Sequence, residues 1–250
     1  MAFMQKKTSF RKHCALRAVT FDMGHTLLLP RRPLGETCAR AAKAVGFRLE
    51  PALAGTRFMD AWTAAQKAHS GLLFGTDLEN GKLFWLSVMR LAMRDFHISS
   101  EALGQLTDDL YGVFGNPETW QINPAWPQVR DELRRRGVRL GVVSNWDVRL
   151  AEILRCLGLF SEFDAVIISA EQAVEKPDAA IFRAAWTALG MRSEEVLHVG
   201  DSWRDDVCGA TAAGMCAVWF NPFATPVPDP SAPHPQIRCL TELPGLLHNP

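Results

Sequence analysis

The 250-residue chain carries 27 Lys and Arg against 27 Asp and Glu with 48% hydrophobic residues, enough length for a substantial core and no net field to draw in nucleic acid or an anionic membrane. Its six cysteines (Cys14, Cys38, Cys156, Cys208, Cys216, Cys239) show neither a C-x-x-C pair nor a zinc-site Cys/His spacing, the usage expected of reduced thiols in a cytosolic protein. The N-terminal MAFMQKKTSFRKHCALR is basic and broken by charge, and no apolar run approaches the roughly 20 residues of a membrane span, so a soluble, cytoplasmic protein is expected.

In chain order, residues 15–21 (ALRAVTF) read as a short buried strand ending at Asp22. Residues 36–46, 53–68, 81–94 and 100–114 then show helical spacing with no convincing strand among them. They form a helical insertion whose aromatics, among them Phe58, Trp62, Phe84 and Trp85, are expected to be its own core. A charged helix over 129–136, stopped by Gly137, precedes a strand at 138–144 (VRLGVVS). Helix and strand alternate from there: helix 148–157, strand 165–169, helix 179–189, strand 196–200, helix 205–213, strand 216–220. The proline-rich run 222–235 is expected to be a surface loop leading to a short last strand near Ile237 and a C-terminal helix.

Short apolar strands alternating with helices predict an α/β fold, a doubly wound, Rossmann-like parallel sheet with an inserted α-helical cap. The expected domains are an α/β core from residues 1–32 and 118–250 and a helical cap from 33–117. In such a sheet ligands sit beyond the carboxyl ends of the strands. Those ends carry Asp22 and Thr26, Ser144 and Asn145, Glu175-Lys176-Pro177, and Asp201, Asp205 and Asp206. Asp22 and Asp201 brought together would repel, so one takes a proton or a cation lies between them. With oxygen donors and no close His or Cys set, Mg²⁺ is the expected ion. Ser144, exposed amides near Asn145, and the Lys176 ammonium complete a clamp for a phosphoryl group.

The ordered strings FD-x-x-x-T, VVSN, EKPD and HVGDSWRDDVCGATAAGM resemble the four motifs of the haloacid dehalogenase-like hydrolase superfamily, over about two thirds of the chain. The resemblance implies a nucleophile at Asp22 that becomes an aspartyl-phosphate, and metal ligands from Asp22, the Gly24 carbonyl and Asp201. Asp206, favoured over Asp205 by spacing, would hold a metal-bound water or Lys176. Thr26 and Ser144 would bind around the nucleophile and phosphoryl oxygens, and Lys176 would neutralise their charge. A small phosphorylated substrate is the implied partner.

One part is missing. Phosphatases of this superfamily read D-x-D-G-T, whereas this chain reads Asp22-Met23-Gly24-His25-Thr26, without the acid that protonates the leaving group. General acid–base catalysis contributes roughly 10²–10⁴-fold, so esters with poor leaving groups should suffer most. His25, or His69 or His97 of the insertion, are the residues able to replace that acid, unless the substrate needs none. Two other readings stay open: a catalytically inactive binding protein, and a metal-independent dehalogenase, which needs no leaving-group acid but has no use for Asp201 and Asp206. Trp146, Trp203 and the Arg31-Arg32 pair are read as packing and solvated hinge rather than substrate contacts.

Overall fold

The computed structural model describes residues 16–68, 76–229, 231 and 234–247. Its strands and helices follow in the order β1 Ala18–Phe21, β2 Leu28–Pro30, α1 Leu34–Ala44, α2 Pro51–Ala68, α3 Leu78–Ala92, α4 Ser100–Gly115, β3 Trp120–Ile122 and α5 Trp126–Arg135. Then come β4 Arg139–Ser144, α6 Leu150–Cys156, β5 Ala165–Ile168, α7 Ser169–Gln172, α8 Ala179–Ala188 and β6 Val196–Gly200. A π-helical turn over Trp203–Cys208 leads to α9 Gly209–Ala212, β7 Cys216–Phe220, β8 Gln236–Ile237 and α10 Leu243–Leu246. The chain divides into two compact units. Among the described residues the first contains 16–28, 122–145 and 160–247, and the second contains 29–121 and 146–159.

The first unit is a six-stranded sheet in the order β5-β4-β1-β6-β7-β8, every pairing parallel, with helices around it. Strands such as β1 and β6 are buried along their whole length, as a sheet covered on both faces requires. Chain order runs outward in both directions from β1, so β1 lies at the switch point where doubly wound sheets bind ligands. Phe21 pairs with Val142 and Val199, so Asp22, Ser144 and Asp201 all emerge at one edge. Beneath them Trp126 closes the core, with its ring edge-on to Phe21 at 5.2 Å, stacked on Phe163 at 5.3 Å, and its Nε1 donating to Glu162 at 2.6 Å.

The expected α-helix at 205–213 is corrected: the chain makes the π-helical turn first, and only Gly209–Ala212 is α-helical. The cause is local. The Ser202 carbonyl accepts from both Asp206 and Val207 amides, at 2.9 and 3.2 Å, and its hydroxyl accepts from the Asp205 amide at 3.1 Å. Ser169 opens the short helix α7 instead of closing β5, and β2 and β3, a separate two-stranded sheet, have no counterpart among the expected elements. The described part of 222–235 is a loop, as its prolines predict.

The second unit is built from α1 to α4 together with α6. The helices α1 and α2 approach so closely that a Cβ on Gly35 would meet the Pro51 carbonyl oxygen at 2.1 Å. Asp77 and Ser99 cap α3 and α4 by accepting from Asn80 and Ala102 amides. The aromatics do form a core: Trp62 lies 5.0 Å from Phe84 and 5.3 Å from Trp85, which stacks on Phe114 at 5.4 Å. Trp146 stands edge-on to Trp120 at 4.9 Å. Arg149 lies 3.6 Å over the Tyr111 ring, donates to the Tyr111 carbonyl, and forks onto Asp147 at 2.6 and 2.8 Å. These contacts explain why 146–159, expected as part of the α/β core, groups with the helices.

No disulfide joins the described cysteines to one another, and no helix among the described residues is long and apolar enough to cross a membrane. Replacing Trp126 by Ala is expected to cost about 3–5 kcal/mol, read as a lower urea midpoint. Trp126→Phe, which keeps the ring contacts and loses the Glu162 hydrogen bond, should cost less.

Candidate active site

The sheet brings the strand-end residues together in the first unit. Asp22 is buried one residue beyond β1, and Ser144 is buried at the end of β4. Ser144 donates from Oγ to Asp22 Oδ1 at 3.1 Å. Lys176, only 4% exposed, donates from Nζ to Asp22 Oδ1 at 2.7 Å and to Asp206 Oδ1 at 2.6 Å. Asn145 holds Lys176 from behind: its Nδ2 donates to the Lys176 carbonyl at 2.9 Å, and its Oδ1 accepts from the Lys176 amide at 2.7 Å. The side chain of Asn145 is therefore engaged in placing the ammonium.

Oxygens of Asp22, Asp201 and Asp206 all lie within 4.8 Å of one another. Asp206, not Asp205, joins this cluster, because the π-helical turn folds it back over Gly200, where an added Cβ would meet the Asp206 carboxyl at 2.2 Å. Asp205 is occupied with the Ser202 hydroxyl at 3.1 Å. The Asp201 backbone is pinned from β7, whose Trp219 Nε1 donates to its carbonyl at 2.9 Å.

Within the first loop, Thr26 is fully buried and its Oγ1 has no hydrogen-bond partner among the described residues, although its carbonyl accepts from Asn123 Nδ2 at 3.0 Å. An unpaired buried hydroxyl costs about 1–3 kcal/mol. Gly24 is half-buried and bridges to Leu28. His25 is exposed at φ +57°, a left-handed backbone in which a non-glycine residue is unusual. That conformation is the physical reason a glycine suits the position in D-x-D-G-T. His97 is exposed in the helical unit, His69 lies outside the described residues, and Trp203 packs edge-on to Trp219 at 5.2 Å.

Sequence reasoning missed His198. It is fully buried within β6, with Nε2 3.0 Å from Asp206 Oδ1 and Nδ1 2.9 Å from Thr20 Oγ1. The only signal was a histidine in an otherwise apolar strand.

The electrostatics follow from three carboxylates facing one ammonium. Burial would lower the Lys176 pKa, but Asp206 and Asp22 outweigh it and hold the ammonium charged. Burial opposes ionisation of Asp206 too, yet Lys176 and the His198 hydrogen bond overcome it and hold this carboxyl below the ordinary range. Burial raises Asp22, with Lys176 opposing. Burial and the neighbouring Asp22 and Asp206 charges push Asp201 up to about 8, so Asp201 is the acid left without a counter-charge. A hard divalent cation fits this oxygen-only donor set.

The sequence model of the haloacid dehalogenase-like hydrolases matches residues 16–214. The human haloacid dehalogenase-like hydrolase domain-containing protein 3 is 36% identical over 207 residues, 80% of either chain. Among solved structures, a HAD phosphatase from Thermococcus onnurineus is 26% identical with a TM-score of 0.64, covering 94% of this chain and 99% of its own. A 2-haloacid dehalogenase from Pseudomonas syringae pv. Tomato DC3000 is 25% identical with a TM-score of 0.62, covering 93% and 98%. Both a phosphatase and a dehalogenase are thus structural neighbours.

Asp201 also governs a pH dependence. Its carboxyl, ordinarily near 3.8, holds its proton in the folded protein up to about 8. Between these values the folded chain binds a proton that the unfolded chain has released, so this group's contribution to stability falls as pH rises. Melting temperatures in chelator should show that decline between pH 5 and about 8 in the native protein, and Asp201→Asn should flatten it.

Proposed function

The chain belongs to the haloacid dehalogenase-like hydrolases, and on that premise we propose that it hydrolyses phosphomonoesters through a covalent aspartyl-phosphate on Asp22. The observation that carries the reading is Lys176 Nζ, shared between Asp22 and Asp206 at 2.7 and 2.6 Å beside the third acid, Asp201. Mg²⁺ would be held by Asp22, Asp201 and the Gly24 carbonyl, with Asp206 behind them, and would supply charge neutralisation at the phosphoryl oxygens. Burial and the neighbouring Asp22 and Asp206 charges keep Asp201 raised against the opposing Lys176, and a bound cation would relieve that repulsion.

Lys176 and Ser144 both bind Oδ1 of Asp22, which leaves Oδ2 as the attacking atom. In the first step an Asp22–phosphorus bond forms as the ester P–O bond breaks, and the leaving oxygen departs with the bonding pair. Lys176, Ser144, Thr26 and amides near Asn145 bind the phosphoryl oxygens. In the second step water attacks phosphorus as the Asp22 oxygen–phosphorus bond breaks with its electron pair passing to the Asp22 carboxylate, and the water's proton leaves with the inorganic phosphate. The helical unit is assigned the role of the substrate-selecting cap.

Gly24 restricts the first step. With no carboxyl at this position, the leaving group takes its proton from His25 or departs without one, as the phenolate of an aryl phosphate or the carboxylate of an acyl phosphate does. The same glycine favours a second reading, a domain that binds phosphorylated ligands without turnover. A dehalogenase, by contrast, would have no use for a third acid, Asp201, beside its nucleophile.

The test is p-nitrophenol release from p-nitrophenyl phosphate. Mg²⁺-dependent release, abolished by EDTA and reduced at least ~10³-fold in Asp22→Asn, is the expected outcome. No release from folded protein would favour the binding reading, whose own mark is Mg²⁺-dependent stabilisation by a phosphate mimic without product, and EDTA-resistant turnover of a 2-haloacid would establish the dehalogenase. Gly24→Asp is expected to raise kcat on alkyl phosphates by roughly 10²–10⁴-fold and on p-nitrophenyl phosphate by much less.

A further inference from the structure

We propose that His198 is a positioning residue for this reaction, holding the Asp206 carboxylate in the orientation that aims Lys176 at Asp22. The inference rests on the phosphoryl-transfer reading above and extends it to the first residue of the HVGDSWRDDVCGATAAGM string, for which the resemblance implies no role.

The strand around His198 is buried throughout, and its neighbours Leu197 and Val199 are apolar. A polar ring in such a place is costly unless both nitrogens find partners. Both do: Nε2 lies 3.0 Å from Asp206 Oδ1, and Nδ1 lies 2.9 Å from Thr20 Oγ1, the residue directly paired with His198 on β1. Phe182, edge-on at 5.2 Å, fixes the ring plane.

Asp206 is consequently held at three points. Its Oδ2 accepts from the Ser202 amide at 2.8 Å, while Oδ1 accepts from Lys176 Nζ and from the His198 side. The Ser202 contact alone would let the carboxylate pivot about that oxygen, carrying with it the flexible lysine that follows Oδ1. The ring removes this freedom. Thr20 lies on β1 and Asp22 one residue beyond its end, two positions on, so the alternation of the strand carries both toward one face. The path Thr20, His198, Asp206, Lys176, Asp22 therefore leaves that face and returns to it, placing the ammonium relative to the strand that carries the nucleophile.

The experiment compares His198→Phe, which keeps ring volume without a donor, with His198→Gln, whose amide reaches Asp206, each in the native and the Asp206→Asn background. With p-nitrophenyl phosphate and Mg²⁺, His198→Phe is expected to lower kcat at least ~10-fold with KM within about 3-fold, and His198→Gln to recover most of it. In Asp206→Asn, His198→Phe should add less than about 2-fold. In chelator and without substrate, the melting-temperature losses of His198→Phe and Asp206→Asn should be less than additive. Should His198→Phe not fold, Thr20→Val, which removes the ring's other partner, carries the same cycle.

Additive melting temperatures, native kcat in folded His198→Phe, or equal impairment of the Gln and Phe variants would each overturn the inference. Absence of turnover in the native protein would instead overturn the function reading, and the melting cycle remains measurable in that case.

Discussion

A lysine ammonium buried between two carboxylates is the constraint on which the rest of the site depends. Lys176 and Asp206 are almost wholly withdrawn from water, and Asp22 nearly so. Taking charges out of water is expensive, and their attraction offsets the cost only when hydrogen-bond geometry is good. Here it is good because each member is held from outside the triad: Lys176 by Asn145 on its backbone, Asp206 by Ser202 and His198, Asp22 by Ser144. The members come from three separate segments, so only a parallel sheet with its ends in register can assemble them.

The balance is deliberately uneven. One ammonium satisfies two carboxylates, and Asp201 is left to retain a proton. A core built only for stability would not keep three acids within 4.8 Å. The unpartnered Thr26 hydroxyl and the left-handed His25 point the same way. Strain and unsatisfied groups concentrate where a protein does its work, and the regular parts of the sheet are free of both.

Much of this was legible in the sequence, for identifiable reasons. Strands such as AVTF and VLHVG are short, apolar and separated by helices of ordinary length, so the sheet declared itself by periodicity. Asp22, Ser144 and Asp201 were legible because each is polar at the end of an apolar run, and Lys176 because it lies in the EKPD string after the third strand. What escaped depends on contacts between distant segments or on backbone geometry without a pattern. His198 reads as one polar residue in a buried strand until Asp206, eight residues later, is folded back onto it. That fold-back needs a π-helical turn, which has no sequence signature and whose residues read as an ordinary helix. The bridging amide of Asn145 is equally invisible, since its partner lies 31 residues away. The strands β2 and β3 are three residues each, too short to show alternation.

The grouping of 146–159 with the helices bears on how such a chain can be recombined. An insertion bounded only by 33 and 117 would be a self-contained module, open to exchange between relatives by two cuts. Arg149 defeats that simplicity: its guanidinium lies on Tyr111 and donates to the Tyr111 carbonyl, while Asp147 fixes its plane. A foreign helical module grafted between the two cuts would leave a half-buried guanidinium facing an unrelated surface, just after the strand that ends in Ser144. Module and segment must therefore travel together, and diversification of the helical unit is tied to a stretch of chain that begins one residue past Asn145.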